Sequence, residues 1–248
     1  MKVSLITTSF NSEKTIEDCI ASIAAQNYND IEHIIIDGDS SDKTMEIVKK
    51  NRSTISKIIS EPDHGPYDAF NKGINTSTGD LIGFLHSSDY FFSNNIISKI
   101  VETLKKTTTD SIYGDLVYVN NDKEIVRSWT AGGYKKNNFL YGWMPPHPTF
   151  FVKRKIYEKF GLFKLNFGSA ADFELMLRFL YFNSVTTSYL PEKITCMRVG
   201  GLSDGGIASR LKAHVYDWKA WRVNGGYKFP FWTILKPLRK IKQFSANN

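Results

Sequence analysis

The chain reads IIIDGDSSD over residues 34–42, where three consecutive β-branched apolar residues run into a glycine flanked by acids. A continuous apolar run of this kind is typical of a strand buried on both faces of a parallel sheet. The following Asp-x-Thr pattern favours a helix-capping role for Asp42 and Thr44, with a helix that extends to residue 50. The stretch therefore predicts a strand, a loop and a helix in succession.

The same succession occurs on both sides of this stretch. Strands are predicted at residues 3–8, 55–60 and 81–85, and helical segments follow residue 12 and cover residues 68–75. Strands that alternate with helices imply right-handed crossovers and an open, mostly parallel, twisted α/β sheet flanked by helices. Such sheets bind their ligands at the carboxyl ends of the strands.

Acidic residues stand at those strand ends. Asp37 and Asp39 follow the second strand, Asp63 follows the third, and Asp89 follows the fourth. Carboxylates that meet at one sheet edge repel one another, so a cation or a ligand rich in hydrogen-bond donors is their natural partner. Each acid alone could be a turn or cap residue, but four in succession favour a binding site.

The second half of the chain alternates less regularly. A helix is predicted at residues 93–105, a hairpin at residues 111–119 and 124–129, a strand at residues 150–152 and a helix at residues 170–182. Asp172 falls in the first turn of that last helix, where the helix dipole favours the ionised carboxylate. Three prolines in residues 145–148 exclude a helix there and hold His147 on a stiff loop.

Composition excludes several classes of protein. With 248 residues, 42% of them hydrophobic and 14% aromatic, the chain can bury one substantial core, which excludes disordered and fibrous proteins. Cys19 and Cys196 cannot form a disulfide framework or a zinc ribbon, and both are expected to be buried. Neither a signal peptide nor an 18-residue apolar run is present, so the expected location is cytoplasmic.

The formal net charge of +7 invites a nucleic-acid interpretation, but the charge is unevenly placed. Residues 210–248 hold nine Lys or Arg and one acid, which leaves 23 basic and 24 acidic residues in residues 1–209. We therefore expect a nearly neutral domain over residues 1–209 and no nucleic-acid partner.

The extension at residues 210–248 interleaves Trp and Phe with Lys and Arg, a composition typical of membrane interfaces. From residue 233 the apolar residues keep helical spacing, which predicts a basic amphipathic helix on an anionic membrane surface. The membrane-binding residues we expect are Trp232, Lys236, Arg239, Lys240 and Lys242. The alternative is a tail that packs on its own domain with solvated lysines.

Five blocks of the chain, in order, resemble the signature blocks of family 2 glycosyltransferases. They are TTSFN (residues 7–11), DGDSSDKT (37–44), SEPDHGPYDAFNKG (60–73), LHSSD (85–89) and SAADFEL (169–175) with Arg178. The resemblance is greatest to bacterial enzymes that build polysaccharide repeat units. It implies a GT-A fold with a nucleotide-sugar-binding half (residues 1–119) and an acceptor half (residues 120–209). It also implies a nucleotide-diphosphate sugar donor, Mn²⁺ or Mg²⁺, and inversion at the anomeric carbon.

The resemblance assigns the donor site to strand-end residues and to the helix at residues 68–75. Uracil N3–H needs an acceptor, which Asp39 or Asp37 would supply, with Asp63 and the Thr8 hydroxyl completing a shelf for base and ribose. Lys72 would face the diphosphate, although an exposed helix lysine is an equal alternative. The expected donor-binding residues are Thr8, Ser9, Asp37, Asp39, Asp63, Asn71, Lys72 and Ser88.

The resemblance also implies a metal ligand at Asp89. The family's Asp-x-Asp-type block reads His86-Ser87-Ser88-Asp89 here, so only the last carboxylate remains. One carboxylate can still hold a hard cation together with two phosphate oxygens and waters, and His86 would favour Mn²⁺ if it bound. His147 is a further candidate ligand for metal or diphosphate.

Asp172 matches the family's general base, and its alternative role is a helix cap. Arg178 is expected to be a helix-surface or ion-pair residue, and residues 200–203 resemble a closing segment near the donor. The predicted activity is that of a hexosyl- or N-acetylhexosaminyltransferase using a UDP-sugar. Its acceptor would be a saccharide, lipid-diphosphate-linked, in cell-surface polysaccharide synthesis at the inner face of the membrane. The alternatives are a nucleotidyltransferase and a non-catalytic, membrane-associated binding module on the same fold.

Overall fold

The structure, a computed structural model, describes residues 1–200 and 207–226 of the chain. Within them, nine strands form one sheet in the order β3-β2-β1-β4-β8-β6-β9-β5, with β7 paired to β6. The strands are β1 (Val3–Ser9), β2 (Ile31–Asp37), β3 (Lys57–Ser60), β4 (Leu81–Phe84), β5 (Tyr90–Phe91), β6 (Ser111–Val119), β7 (Ile125–Trp129), β8 (Phe151–Lys153) and β9 (Thr187–Arg198).

The first four strands are parallel, as predicted. β1 pairs with β2 and β4, and β2 pairs with β3, all in parallel register. Ile34, Ile35 and Ile36 are completely buried, because helices cover both faces of this half. The parallel register brings the carboxyl ends of β1, β2 and β3 to one edge.

The helices connect and cover these strands. They are α1 (Ile16–Ala24), α2 (Thr44–Lys50), α3 (Pro66–Thr76), α4 (Ile96–Thr107), α5 (Arg154–Phe160), α6 (Ala171–Met176) and α7 (Ile207–Val223). Asp42 accepts a hydrogen bond from the Thr44 N–H at 2.9 Å where α2 begins, in agreement with the predicted capping role. α6 continues as a π-helical segment to Phe182.

The second half makes the sheet mixed rather than mostly parallel. β8 is antiparallel to both β4 and β6, whereas β9 is parallel to β6 and antiparallel to β5. β9 was not predicted as one long strand, since polar residues interrupt its apolar pattern and its register against β6 shifts around Asp115. The predicted hairpin of β6 and β7 is present.

α7 packs on the second half of the domain. Its Trp221 is buried, with ring centroids 4.8 Å from Tyr181 and 5.5 Å from Phe182. The predicted membrane residues between 232 and 242 and the predicted closing residues 201–203 lie outside the described residues. None of the helices in the described part has the length and apolar content required to span a bilayer.

Candidate functional site

Asp37 organises the sheet edge at which the predicted donor residues meet. It is completely buried, and its two carboxylate oxygens accept hydrogen bonds from Ser9 Oγ at 2.8 Å, Ser60 Oγ at 2.9 Å, Ser40 N at 2.9 Å and Ser40 Oγ at 2.6 Å. Four donors occupy the acceptor capacity of this carboxylate. Asp37 and Ser9 therefore hold the loops after β1, β2 and β3 together at this edge.

Asp39 and Asp63 are the acids at this edge that are not fully buried. Asp39 is exposed and has a left-handed backbone with φ of 65°, a conformation that aspartate tolerates better than most residues. Asp63 approaches Gly38 so closely that a Cβ at Gly38 would lie 2.7 Å from Asp63 Oδ2. Its other oxygen accepts the Gly65 N–H at 2.7 Å. A side chain at position 38 would displace the Asp63 carboxylate.

Phe10 completes this edge, and its role was not predicted from the sequence. Its ring lies against the same glycine, 3.5 Å from the position of a Cβ at Gly38, yet 64% of the residue is exposed. An exposed aromatic ring that approaches the same glycine as the Asp63 carboxylate offers a stacking face next to a hydrogen-bond acceptor. Its place directly after a polar strand end was the signal available in the sequence.

The loop after β4 is tied to the loop after β1. Thr8 Oγ1 hydrogen-bonds His86 Nδ1 at 3.2 Å, and the Ser87 N–H donates to the Thr8 carbonyl at 3.1 Å. The Ser88 carbonyl accepts a hydrogen bond from Arg198 Nη1 at 2.8 Å, and Ser88 Oγ donates to Asp89 Oδ1 at 3.1 Å. Thr8, His86, Ser88 and Asp89 are thus brought together.

Asp89 is the candidate metal ligand. It is 1% exposed, and its Oδ2 has no hydrogen-bond partner among the described residues. Burial raises the pKa of Asp89 to about 7, although the Ser88 hydroxyl and Arg198 act to lower it. A buried carboxylate oxygen without a partner suits a hard divalent cation. No group of three or more His, Cys, Asp or Glu that could hold a metal occurs in the described part of the chain.

His147 begins a short 3₁₀ turn (His147–Thr149) and lies in an aromatic enclosure. Its ring centroid is 5.6 Å from Phe84, 5.7 Å from Phe163 and 6.4 Å from His86. Both of its ring nitrogens are buried and have no hydrogen-bond partner among the described residues. Burial lowers the pKa of His147 to about 4, and burial with the neighbouring His147 lowers that of His86 to about 4. Both rings are therefore neutral at pH 7, the form that binds metals.

Asp172 lies in the first turn of α6, as predicted, and is partly buried. Its Oδ1 accepts the Phe173 N–H at 2.7 Å, and its carboxylate is hydrogen-bonded to Tyr67 of α3. The contact with Tyr67 joins residues that are about 100 positions apart in the chain and was not predicted. Two residues further along, Glu174 is completely buried and forms an ion pair with Arg178 at 3.0 Å. Of the two expected roles of Arg178, on the helix surface or in an ion pair, the structure shows the ion pair.

Asn71 and Lys72 are engaged with the protein itself. The Asn71 side chain donates to the Phe163 carbonyl at 2.9 Å and accepts the Phe163 N–H at 3.0 Å. Lys72 Nζ lies 2.9 Å from Glu61 Oε1 and donates to the Pro62 carbonyl at 2.8 Å. Their expected contacts with the donor remain predictions.

Known proteins resemble the chain in sequence. It matches the profile of glycosyl transferase family 2 over residues 4–162. It is 35% identical over 181 residues to an uncharacterized glycosyltransferase of Mycobacterium tuberculosis, which covers 71% of this chain and 68% of that protein. It is 24% identical over 206 residues to a PGL/p-HBAD biosynthesis glycosyltransferase of Mycobacterium bovis, which covers 81% and 78%.

Solved structures resemble it in fold. S. aureus TarS 1-349 in complex with UDP-GlcNAc has a TM-score of 0.73 at 19% identity, with 95% of this chain and 67% of that chain covered. Mannosyltransferase PcManGT from Pyrobaculum calidifontis, in complex with GDP-Man and Mn²⁺, has a TM-score of 0.67 at 17% identity, with 98% and 69% covered. The chain spans 39% of another TarS structure. These similarities confirm the predicted GT-A fold.

Proposed function

The chain belongs to glycosyl transferase family 2, and we propose that it transfers a sugar from a UDP-sugar to a hydroxyl of a saccharide acceptor with inversion of configuration. The observation that carries the proposal is the sheet edge at which Phe10, Asp39 and Asp63 stand together. It offers a stacking face and hydrogen-bond acceptors of the kind that a nucleotide requires, and Asp172 would supply a carboxylate from the second half of the chain.

In this proposal the base of the nucleotide stacks on Phe10. The exposed Asp39 accepts the uracil N3–H, while Asp63 and the Thr8 hydroxyl face the ribose. Asp37 would hold the surrounding loops rather than contact the base, because its carboxylate oxygens already accept hydrogen bonds from serine donors. Of the two alternatives for the base, the geometry thus favours Asp39.

The proposal also specifies which nucleotide the donor carries. TarS has been solved with UDP-GlcNAc and PcManGT with GDP-Man, so relatives of this fold accept both nucleotides. We assign uridine because one exposed carboxylate matches the single N3–H donor of uracil. Hexose and N-acetylhexosamine donors are both compatible with this arrangement.

Asp89 would hold Mn²⁺ or Mg²⁺, with the diphosphate and water supplying the other ligands and His86 or His147 as candidate nitrogen ligands. Bound there, the cation would neutralise negative charge that builds up on the leaving diphosphate. PcManGT contains Mn²⁺ on a similar fold, which supports this assignment. Ser88 and Arg198 fix the backbone on which the Asp89 carboxylate depends.

Asp172 would act as general base. Its carboxylate takes the proton of the acceptor hydroxyl while the oxygen attacks the anomeric carbon, and the bond between that carbon and the phosphate oxygen breaks with its electron pair on the diphosphate. A single displacement inverts the anomeric centre. The Phe173 N–H and Tyr67 hydrogen-bond to this carboxylate and would hold it in place for that proton transfer.

A nucleotidyltransferase on this fold is the first alternative, and a non-catalytic binding module is the second. A triphosphate would need a first loop rich in Gly, Lys or Arg, and residues 7–11 contain none of these. UDP-, GDP- and dTDP-sugars, each with and without Mn²⁺, can be scored by nucleotide release and by thermal shift. Our proposal predicts UDP release and a thermal shift that need Mn²⁺. Pyrophosphate release when UTP and a sugar 1-phosphate are supplied instead would support the first alternative, and a thermal shift without nucleotide release would support the second.

We further propose that residues 210–248 place the enzyme at the inner face of the cell membrane, where a lipid-diphosphate-linked saccharide would be its acceptor in cell-surface polysaccharide synthesis. The net charge of +8 in this segment and its interleaved aromatic residues support binding to anionic lipid. Flotation with anionic liposomes should recover the full chain but not a chain that ends at Tyr227. Equal recovery of both chains would contradict the membrane role.

A further inference from the structure

One face of α3 connects the nucleotide half to the acceptor half. Tyr67 and Asn71 are four residues apart and therefore share that face. The side-chain amide of Asn71 pairs with both backbone groups of Phe163, at 2.9 and 3.0 Å, which fixes α3 against the segment after α5. The position of Tyr67 therefore depends both on its own helix and on the contacts of that helix with the acceptor half.

The ring of Tyr67 is enclosed by aromatic neighbours. Its centroid is 5.3 Å from Phe163, 6.1 Å from Phe70 and 6.5 Å from His147. This packing leaves the hydroxyl directed at Asp172, where it is hydrogen-bonded to the carboxylate and to the backbone N–H. Burial and the Asp172 carboxylate raise the pKa of Tyr67 well above its usual range, so the hydroxyl remains protonated and can donate.

We infer that Tyr67 is a positioning residue, which donates a hydrogen bond to the Asp172 carboxylate and fixes the base relative to the bound nucleotide sugar. The inference rests on the proposed function and adds to it how the acceptor half is aligned with the donor. The Phe173 N–H restrains Asp172 only within its own helix. Tyr67 links the carboxylate to α3, the helix beside the proposed donor site.

A base must lie within hydrogen-bond reach of the acceptor hydroxyl, and a misplacement of about 1 Å can cost on the order of a hundredfold in rate. Loss of the Tyr67 hydroxyl should therefore lower the rate of the chemical step and leave donor binding intact. A tyrosine with only a packing role would show no change in the rate or in donor binding, because Phe retains the ring and its contacts.

The test compares Tyr67→Phe with Tyr157→Phe in the full chain. The Tyr157 hydroxyl is buried and has no hydrogen-bond partner among the described residues, so its removal is a matched control. UDP release from UDP-GlcNAc and UDP-glucose with Mn²⁺ gives kcat and donor KM. Both variants are also placed in an Asp172→Asn background.

We expect Tyr67→Phe to lower kcat by about ten- to a hundredfold with donor KM within about twofold, and Tyr157→Phe to match the wild type. In the Asp172→Asn background, Tyr67→Phe should cause no further loss, because it acts through that carboxylate. An unchanged kcat, an equal loss in the Asp172→Asn background, or a Tyr67→Phe chain that no longer folds would each overturn the inference. A wild-type chain that releases no UDP would refute the proposed function itself, a result distinct from an active wild type with an unaffected Tyr67→Phe.

Discussion

Phe10→Ala removes the exposed ring beside Gly38 and Asp63, and we expect it to weaken nucleotide binding without destabilising the fold. Phe10 keeps 64% of its surface exposed, so folding gains little from its burial. Its loss should change the free energy of unfolding by no more than about 0.5 kcal/mol. Stacking of a base on an aromatic ring is worth about 1–3 kcal/mol, which corresponds to a rise in Kd of about 5- to 150-fold.

Calorimetric titration of UDP in the presence of Mn²⁺ measures this Kd, and urea denaturation without ligand measures the free energy of unfolding. Phe92→Ala is the matched control, since Phe92 is also an exposed phenylalanine, 43% exposed, but lies beside β9 under the Lys193 ammonium group. Phe92→Ala should leave the Kd for UDP unchanged. An unchanged Kd in Phe10→Ala, or a loss of affinity matched by Phe92→Ala, would refute the placement of the base.

Three further changes test separate parts of the molecule. Glu174→Gln should lower the free energy of unfolding by about 3–5 kcal/mol in urea denaturation, because the Arg178 guanidinium would stay buried without its 3.0 Å partner. His33→Gln should flatten the pH dependence of stability: burial lowers the pKa of His33 to about 3, so between pH 6.5 and about 3 the unfolded chain binds one more proton, and stability falls as pH falls. In the variant, the slope of the free energy of unfolding against pH should be smaller by about 1.4 kcal/mol per pH unit. Denaturation series from pH 7 to 4 measure this slope. Asp89→Asn should remove the stimulation of UDP release by Mn²⁺, measured in a metal titration.

The first two of these changes have a matched control in the chain. Glu158 is exposed and only weakly paired, at 3.7 Å from Arg154, so Glu158→Gln should cost less than about 1 kcal/mol. His64 is exposed, and His64→Gln should leave the pH slope unchanged. Equal effects of Glu174→Gln and Glu158→Gln, equal pH slopes in His33→Gln and wild type, or Mn²⁺ stimulation that survives Asp89→Asn would contradict the corresponding account.

The parallel half of the fold was predictable because its signals are local. The buried strand of Ile34, Ile35 and Ile36 is an unbroken apolar run, and acids mark the strand ends. The second half was less predictable, since β9 contains Pro191, Glu192 and Lys193 and owes its length to pairing with β6, more than 70 residues earlier in the chain. No local periodicity reveals such a pairing.

The candidate site, like the fold, could be predicted only in part from the sequence. Asp172 could be placed in a first helical turn from its neighbours, but its contact with Tyr67 joins residues that are distant in sequence and needs the packed structure. Asp37 and Asp39 look alike in sequence, although one is saturated by serine donors and buried while the other is exposed. Burial and hydrogen-bond partners, which the sequence does not display, distinguish the saturated carboxylate of Asp37 from the exposed carboxylate of Asp39.

UDP release from a UDP-sugar by wild type and by Asp172→Asn, compared in the same experiment with the thermal shift that UDP produces, tests the proposed reaction most directly. We predict that Asp172→Asn lowers UDP release by about a hundred- to ten-thousandfold, the contribution typical of a general base, while the UDP-induced thermal shift is retained. Release at the wild-type rate by Asp172→Asn would contradict the assignment of the base and, with it, the proposed mechanism.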